Sequence, residues 1–180
     1  DEQTMLRDTA RDFVAEHAPI EHLRGLRDAD DPTGFSRELW KSFAEMGFTG
    51  ILVPEDDGGL GLGHVEAGVV LEEIGRNLSP SPFLTTAVAA VEALAGTAHA
   101  GRWFPGIVAG ETVAALAIDE GAKFRASVGM IAERSGNGFK LTGAKQFVHH
   151  GHVADLLIVA ARTAGAADDY EGVTLFAVPK

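Results

Sequence analysis

Three histidines close together, His149, His150 and His152, are the first residues whose types suggest chemistry. Imidazoles bind transition metals and exchange protons near neutral pH. No carboxylate or thiol stands at a recognised ligand spacing from them. If the segment is a strand, His149 and His150 face opposite sides and cannot both hold one ion without distortion. Two readings remain: one histidine exposed and one packed, or one of them meeting a cofactor. Gly59, Gly61 and Gly63 follow the apolar run Ile51-Leu52-Val53-Pro54 and precede a helical pattern. Their spacing is not G-x-G-x-x-G, and Glu55, Asp56 and Asp57 would repel a pyrophosphate at the helix start. A tight loop whose glycines permit positive φ is the favoured reading. Ser79, Ser127 and Ser135 lack the surroundings of a nucleophile elbow. Glu72 and Glu73 read as the solvated face of a helix. Trp40, Trp103 and the phenylalanines read as core.

The elements that must position these residues change character along the chain. Met5, Leu6, Ala10, Phe13 and Val14 recur at helical spacing, and Pro19 marks the end of that helix. A polar loop is expected through Asp28–Pro32. Ser36 caps a second helix with Leu39, Trp40, Phe43 and Met46 on one face, and Gly47 fits its C′ position. A third helix is expected over His64–Asn77 and a fourth from Ser81-Pro82 through Leu94, with Gly96 as its stop. A short helix around Trp103 should end at Pro105-Gly106. Near Thr112 the period becomes strand-like. Strands are expected at 112–118, 128–133, 139–142, 156–161 and 173–178, with a hairpin turn at Ser135-Gly136-Asn137-Gly138 and a polar loop at 165–171. Helices first and strands later imply two modules, a helical domain at 1–111 and the start of a β-domain at 112–180. A sheet that stops at Pro179-Lys180 would leave an unpaired edge, so further chain beyond Lys180 is expected.

Composition excludes several function classes. Apolar residues make up 46% and charged residues 23% of 180, so a packed core is expected rather than disorder. The formal net charge of −11 disfavours binding to nucleic acid. With no cysteine there is no disulfide, no thiolate metal site and no cysteine nucleophile. No apolar run approaches the roughly 18 residues of a membrane helix, and Asp1-Glu2-Gln3 does not resemble a signal peptide. The default expectation is a soluble cytoplasmic protein without a metal site.

Several stretches, in order, resemble the acyl-CoA dehydrogenase family. They are Glu2-Gln3 through Leu6-Arg7 and Phe13; Met46-Gly47-Phe48-Thr49-Gly50-Ile51-Leu52-Val53-Pro54-Glu55 with Gly58-Gly59-Leu60-Gly61; Leu71-Glu72-Glu73-Ile74-Gly75; Trp103-Phe104-Pro105-Gly106-Ile107 with Gly110-Glu111; and Gly138-Phe139-Lys140-Leu141-Thr142-Gly143-Ala144-Lys145 with Phe147-Val148 and Ala154-Asp155. The resemblance implies an all-α amino-terminal domain followed by a partial antiparallel β-barrel or sandwich, an α+β chain as it stands. It also implies FAD, an acyl-CoA thioester substrate and α,β-desaturation with hydride transfer to flavin N5.

By the same resemblance, Ile118 and Asp119 occupy the place of a Thr-Glu-Pro-Gly stretch that lies against the flavin, within Leu116–Ala122. The proline is missing, Asp119 stands at the threonine position, and Ser127 is the candidate for the motif's downstream serine. Phe147, Val148 and His149 correspond to an aromatic, an aliphatic and a hydroxyl residue at the flavin. His149 replaces the hydroxyl and is expected near the N5 or O4 edge. Phe83, Leu84, Ala87 and Val88 are either acyl-pocket residues or ordinary core. The catalytic base, a glutamate, is expected outside this chain, so the chain alone is expected to be inactive. An electron-transfer flavoprotein or similar acceptor is implied, as is a homo-oligomer (dimer or tetramer) or a hetero-oligomer. Two alternatives share the fold: a flavin monooxygenase or oxidase, and a non-catalytic partner subunit, which the altered Asp119 and His149 positions keep open.

Overall fold

The structure, a computed structural model, describes residues 1–122, 127–169 and 171–180. Backbone contacts divide it into two compact units, Asp1–Val113 and Ala114–Lys180.

The first unit is helical. Helix α1 spans Glu2–His17, with the Asp1 carboxylate accepting from the Thr4 N–H. Helix α2, Ile20–Asp28, starts directly from Pro19. It is not among the expected elements, although Ile20, Leu23 and Leu26 recur at helical spacing; none of the three is fully buried. Pro19 ends one helix and opens the next, because a fixed φ near −65° suits the residue before a first turn. Helix α3, Arg37–Glu45, is capped by the Ser36 hydroxyl, which accepts from Leu39 N–H, and Gly47 follows with φ 78°. Two single 3₁₀ turns, Phe48–Gly50 and Glu55–Asp57, lead to α4, His64–Arg76.

A π-helical segment, Phe83–Ala90, passes into α5, Val91–Leu94, and α6 covers Ala100–Val108. Pro105 lies inside α6 rather than ending it. A proline there loses its own N–H bond and crowds the carbonyl four residues back, and Phe104 and Ile107, both fully buried, hold the helix against that cost. Phe43 meets Phe13 and Phe48 edge-on, with centroids 5.3 and 5.8 Å apart, and Trp40, Phe83, Phe104 and Ile51 are buried in the same unit. Glu73 departs from the expected solvated face. Its side chain is fully buried and its carboxylate accepts from Arg76 Nε at 3.1 Å and Arg11 Nη2 at 3.4 Å, whereas Glu72 is exposed.

The second unit is an open five-stranded sheet: β1 Ala114–Ala117, β2 Ile131–Ser135, β3 Gly138–Thr142, β4 Leu156–Arg162 and β5 Val173–Pro179. Its strands are mixed in direction. Strand β4 runs parallel to β1, antiparallel to β5, and meets β2 at Ile131–Arg162. The expected antiparallel character is carried by the β2–β3 hairpin and the β4–β5 pair. Gly136 opens the two-residue hairpin turn at φ 58°, the position a type II′ turn reserves for glycine. The apolar run at 128–130 precedes β2 instead of joining it, because Gly129 and Met130 give their N–H groups to a side chain, Glu120. Ala117, Met130, Ala132, Val159 and Ala161 form the core of this unit, with Leu141, Val148, Leu157, Phe176 and Val178 packed against it. Tyr170, in the polar loop expected at 165–171, lies outside the described residues.

Candidate functional site: two stitched segments beside strand β1

Residues 118–122 leave the end of β1, and residues 143–153 lead from β3 toward β4. They lie side by side because polar groups bind them together. The Gln146 N–H donates to the Asp119 carbonyl at 2.7 Å. Lys145 Nζ donates to the Ile118 carbonyl at 3.0 Å and to Glu120 Oε1 at 2.6 Å. The same Glu120 carboxylate accepts from Gly129 N–H at 2.7 Å and Met130 N–H at 2.9 Å. Gly143 starts the second segment at φ 151°, and a Cβ there would sit 3.0 Å from the Met130 backbone, so only glycine fits.

The electrostatics follow from these contacts. Burial of the Glu120 carboxyl opposes its ionisation, but hydrogen bonds from Lys145, Met130 and Gly129 outweigh burial and hold it below the usual carboxylate range. A carboxyl held low adds stability that is complete above the ordinary carboxylate range and is lost as pH falls through its folded value. Burial, reinforced by the charges His149 and His152 would carry, pushes the His150 imidazole below its ordinary value and favours its neutral form.

Each residue singled out in the sequence has a definite place. Ile118 is 44% exposed and Asp119 is half-buried. Phe147 is 65% exposed and holds φ 53°, an uncommon setting for a bulky side chain that costs on the order of 1 kcal/mol. Val148, the next residue, is half-buried and packs on the sheet core, anchoring the segment. His149 is exposed and His150 half-buried at φ 59°, in a turn rather than a strand. The alternation argument for their two faces therefore does not apply. Among the described residues, no group of three or more His, Asp or Glu is arranged to hold a metal ion. Ser127 is half-buried.

In the helical unit, Phe83 and Ala87 are buried in the core, Leu84 is 57% exposed and Val88 is half-buried. All four lie in the π-helical segment, a geometry common at functional sites. The glycine loop is structural. Residues 59–62 fold back on 50–54 through Gly59 N–H to Pro54 O, Leu60 N–H to Gly50 O, Gly61 N–H to Val53 O and Leu62 N–H to Ile51 O.

Glu120 and Lys145 were not singled out by residue type. The sequence offers a carboxylate and an ammonium 25 positions apart, with no pattern that pairs them. Lys145 lies in one of the stretches that carry the resemblance, whereas Glu120 lies in Leu116–Ala122, where the sequence departs from the family's pattern.

An exposed aromatic and an exposed aliphatic residue, with a carboxylate and an imidazole beside them, suit the flat face and polar edge of a ring cofactor. No helix among the described residues is long and apolar enough to cross a membrane. The sequence profile of the acyl-CoA dehydrogenase amino-terminal domain matches residues 1–111. Isovaleryl-CoA dehydrogenase, mitochondrial, of Pongo abelii is 32% identical over 190 residues, covering 100% of this chain and 44% of that protein. A variant of the Tcur3481-Tcur3483 steroid ACAD superimposes with a TM-score of 0.86 at 34% identity, over 99% of this chain and 48% of that one. The ChsE4-ChsE5 complex from Mycobacterium tuberculosis gives a TM-score of 0.84 at 30% identity, over 99% and 47%. The chain thus spans a little under half the length of these relatives. With the helical unit matched by that domain and the sheet in place behind it, the chain belongs to the acyl-CoA dehydrogenase family, a family of oxidoreductases.

Proposed function

We propose that this chain supplies the amino-terminal domain, 1–111, and the beginning of the middle domain, from 112, of an FAD-dependent enzyme that desaturates an acyl-CoA thioester between its α and β carbons. The observation that carries the reading is the pairing of residues 118–120 with 143–149, which leaves Ile118 and Phe147 exposed on two segments bonded to each other. A flavin supplies a hydride acceptor, which no side chain offers. Phe147 and Ile118 present apolar surface to its ring, and Val148 fixes the segment against the sheet. His149 donates a hydrogen bond toward the ring's N5 or O4 edge, in the role a hydroxyl fills elsewhere in the family. Asp119 accepts when ionised, so it meets a donor on the ring edge. Phe83, Leu84, Ala87 and Val88 are assigned to the acyl pocket, with Leu84 and Val88 presenting the surface and Phe83 and Ala87 backing it from the core. The base that takes the α-proton, a glutamate, is assigned to the remainder of the protein. A cytoplasmic location and an electron-transfer flavoprotein as acceptor belong to the same proposal.

Anaerobic mixing of the full-length protein with a branched short-chain acyl-CoA and with a steroid side-chain CoA ester tests this. Bleaching of the flavin absorbance by one of them is expected. His149→Ala is expected to lower flavin content or shift the flavin spectrum. A colourless wild-type protein, or an unchanged flavin on both additions, contradicts the reading.

A second reading has one observation behind it: two similar solved structures are named as pairs, Tcur3481-Tcur3483 and ChsE4-ChsE5. In that reading the chain belongs to one subunit of a heteromeric dehydrogenase whose flavin site is completed by a different subunit. Full flavin occupancy in the protein expressed alone contradicts it.

A further inference from the structure

Lys145 and Glu120 form the most enclosed ion pair among the described residues of the sheet unit, with side chains 5% and 24% exposed and Nζ to Oε1 at 2.6 Å. A nearly buried ammonium persists only where it is paired and hydrogen-bonded. Lys145 meets that condition with one carboxylate and one carbonyl, Ile118 O. Glu120 meets it with the ammonium and two backbone N–H groups. The pair therefore ties three stretches that are distant in sequence: 118–120, 129–130 and 145.

Its location gives it a role beyond stability. Ile118 and Asp119 immediately precede Glu120, and Phe147 and Val148 closely follow Lys145. A shift of either partner moves the backbone that carries those side chains. The hydrogen bond from Gln146 N–H to Asp119 O lies between the ion pair and the exposed side chains and would move with it. We propose that Glu120 and Lys145 are positioning residues that set the spacing of the two segments presenting Ile118, Asp119, Phe147 and Val148 to the flavin. The proposal rests on the flavin reading above, and neither residue touches the ring.

The test uses the full-length protein and three variants, Glu120→Gln, Lys145→Met and the double variant. FAD is removed, thermal unfolding of the FAD-free forms is recorded, and FAD is titrated back by flavin fluorescence. Hydrogen exchange across 143–153 is measured without FAD. The expected result is folded variants with faster exchange across 143–153, an FAD dissociation constant raised at least about tenfold in each single variant, and a shifted flavin spectrum. The double variant is expected to match the single ones, because both remove one shared interaction.

Wild-type protein that binds FAD alongside folded variants that bind it equally well overturns the positioning role and leaves the flavin reading standing. Wild-type protein that binds no FAD overturns both. Should Glu120→Gln fail to fold, Lys145→Gln is titrated in its place. If neither folds, the pair is a general scaffold element and the proposal is overturned.

Discussion

Arg162→Met is expected to destabilise the sheet unit by about 3 kcal/mol and to expose the backbone of the β4–β5 connection to exchange. Arg162 is 5% exposed, at the end of β4, and all five of its N–H donors go to backbone carbonyls. Nε donates to Val128 at 2.9 Å; Nη1 to Ala164 at 3.2 Å and Glu171 at 2.6 Å; Nη2 to Ala167 at 3.0 Å and Asp169 at 2.8 Å. Methionine replaces the aliphatic stem, stops short of the guanidinium and has no donor. Val128, the buried one of these partners, would lose its side-chain donor, while the exposed loop carbonyls would turn to water. Lysine should recover little, because three donors on one tetrahedral ammonium cannot reproduce a planar five-donor fork.

The effect should reach the candidate site. Val128 N–H donates to Ala167 O, Arg162 N–H donates to Met130 O, and Met130 N–H donates to Glu120. Hydrogen exchange on the full-length variant checks this: faster exchange at 127–130 as well as 163–169 is expected. Protection unchanged in both stretches would contradict the account of Arg162.

Gly59→Ala is expected to cost roughly 3 kcal/mol, with the loss falling in the helical unit. A Cβ at Gly59 would overlap the carbonyl oxygen and Cβ of Val53 and lie 2.6 Å from its carbonyl carbon. Val53 is fully buried and its carbonyl already accepts from Gly61 N–H at 2.8 Å, so it cannot yield without breaking the fold-back of 59–62 on 50–54. Gly75→Ala serves as the contrast. Its Cβ would meet nothing within 4 Å, and it lies within α4, where alanine gains about 0.5–1 kcal/mol over glycine. Thermal unfolding of the two full-length variants should therefore move in opposite directions from wild type. A Gly59→Ala midpoint equal to wild type would show that the loop is looser than its contacts imply.

These two residues illustrate what a sequence can and cannot disclose. The glycine loop was readable as structural, because acidic neighbours and a wrong spacing argued against phosphate binding. Which glycine carries the steric constraint depends on the fold-back onto Val53, a contact between non-adjacent residues. The change from helices to strands near Thr112 was readable from period alone, and the hairpin at Gly136-Asn137 from turn chemistry. Helix α2 was not, although Ile20, Leu23 and Leu26 keep helical spacing: it is nine residues long and follows Pro19, which reads as a stop rather than a start. Nor was the parallel pairing of β1 with β4, which joins residues about 40 positions apart and leaves no local trace. Glu73 looked like half of a solvated pair because a one-residue step on a helix turns a side chain by about 100°, enough to take one carboxylate into the core and leave its neighbour in water.

At the candidate site, Phe147 and Val148 came from motif resemblance, whereas the Glu120–Lys145 pair that stitches the segments emerged only from three-dimensional contacts. The positive φ of Phe147 likewise lies outside any sequence rule, since aromatic residues seldom adopt it.

The account depends most on the claim that Phe147 and Ile118 face a flavin ring. A structure of the full-length protein with FAD bound measures this directly. It should place the ring in van der Waals contact, about 3.5–4 Å, with the Phe147 side chain, and His149 within hydrogen-bond reach of the ring edge. A ring bound elsewhere, with Phe147 still in solvent, would contradict it.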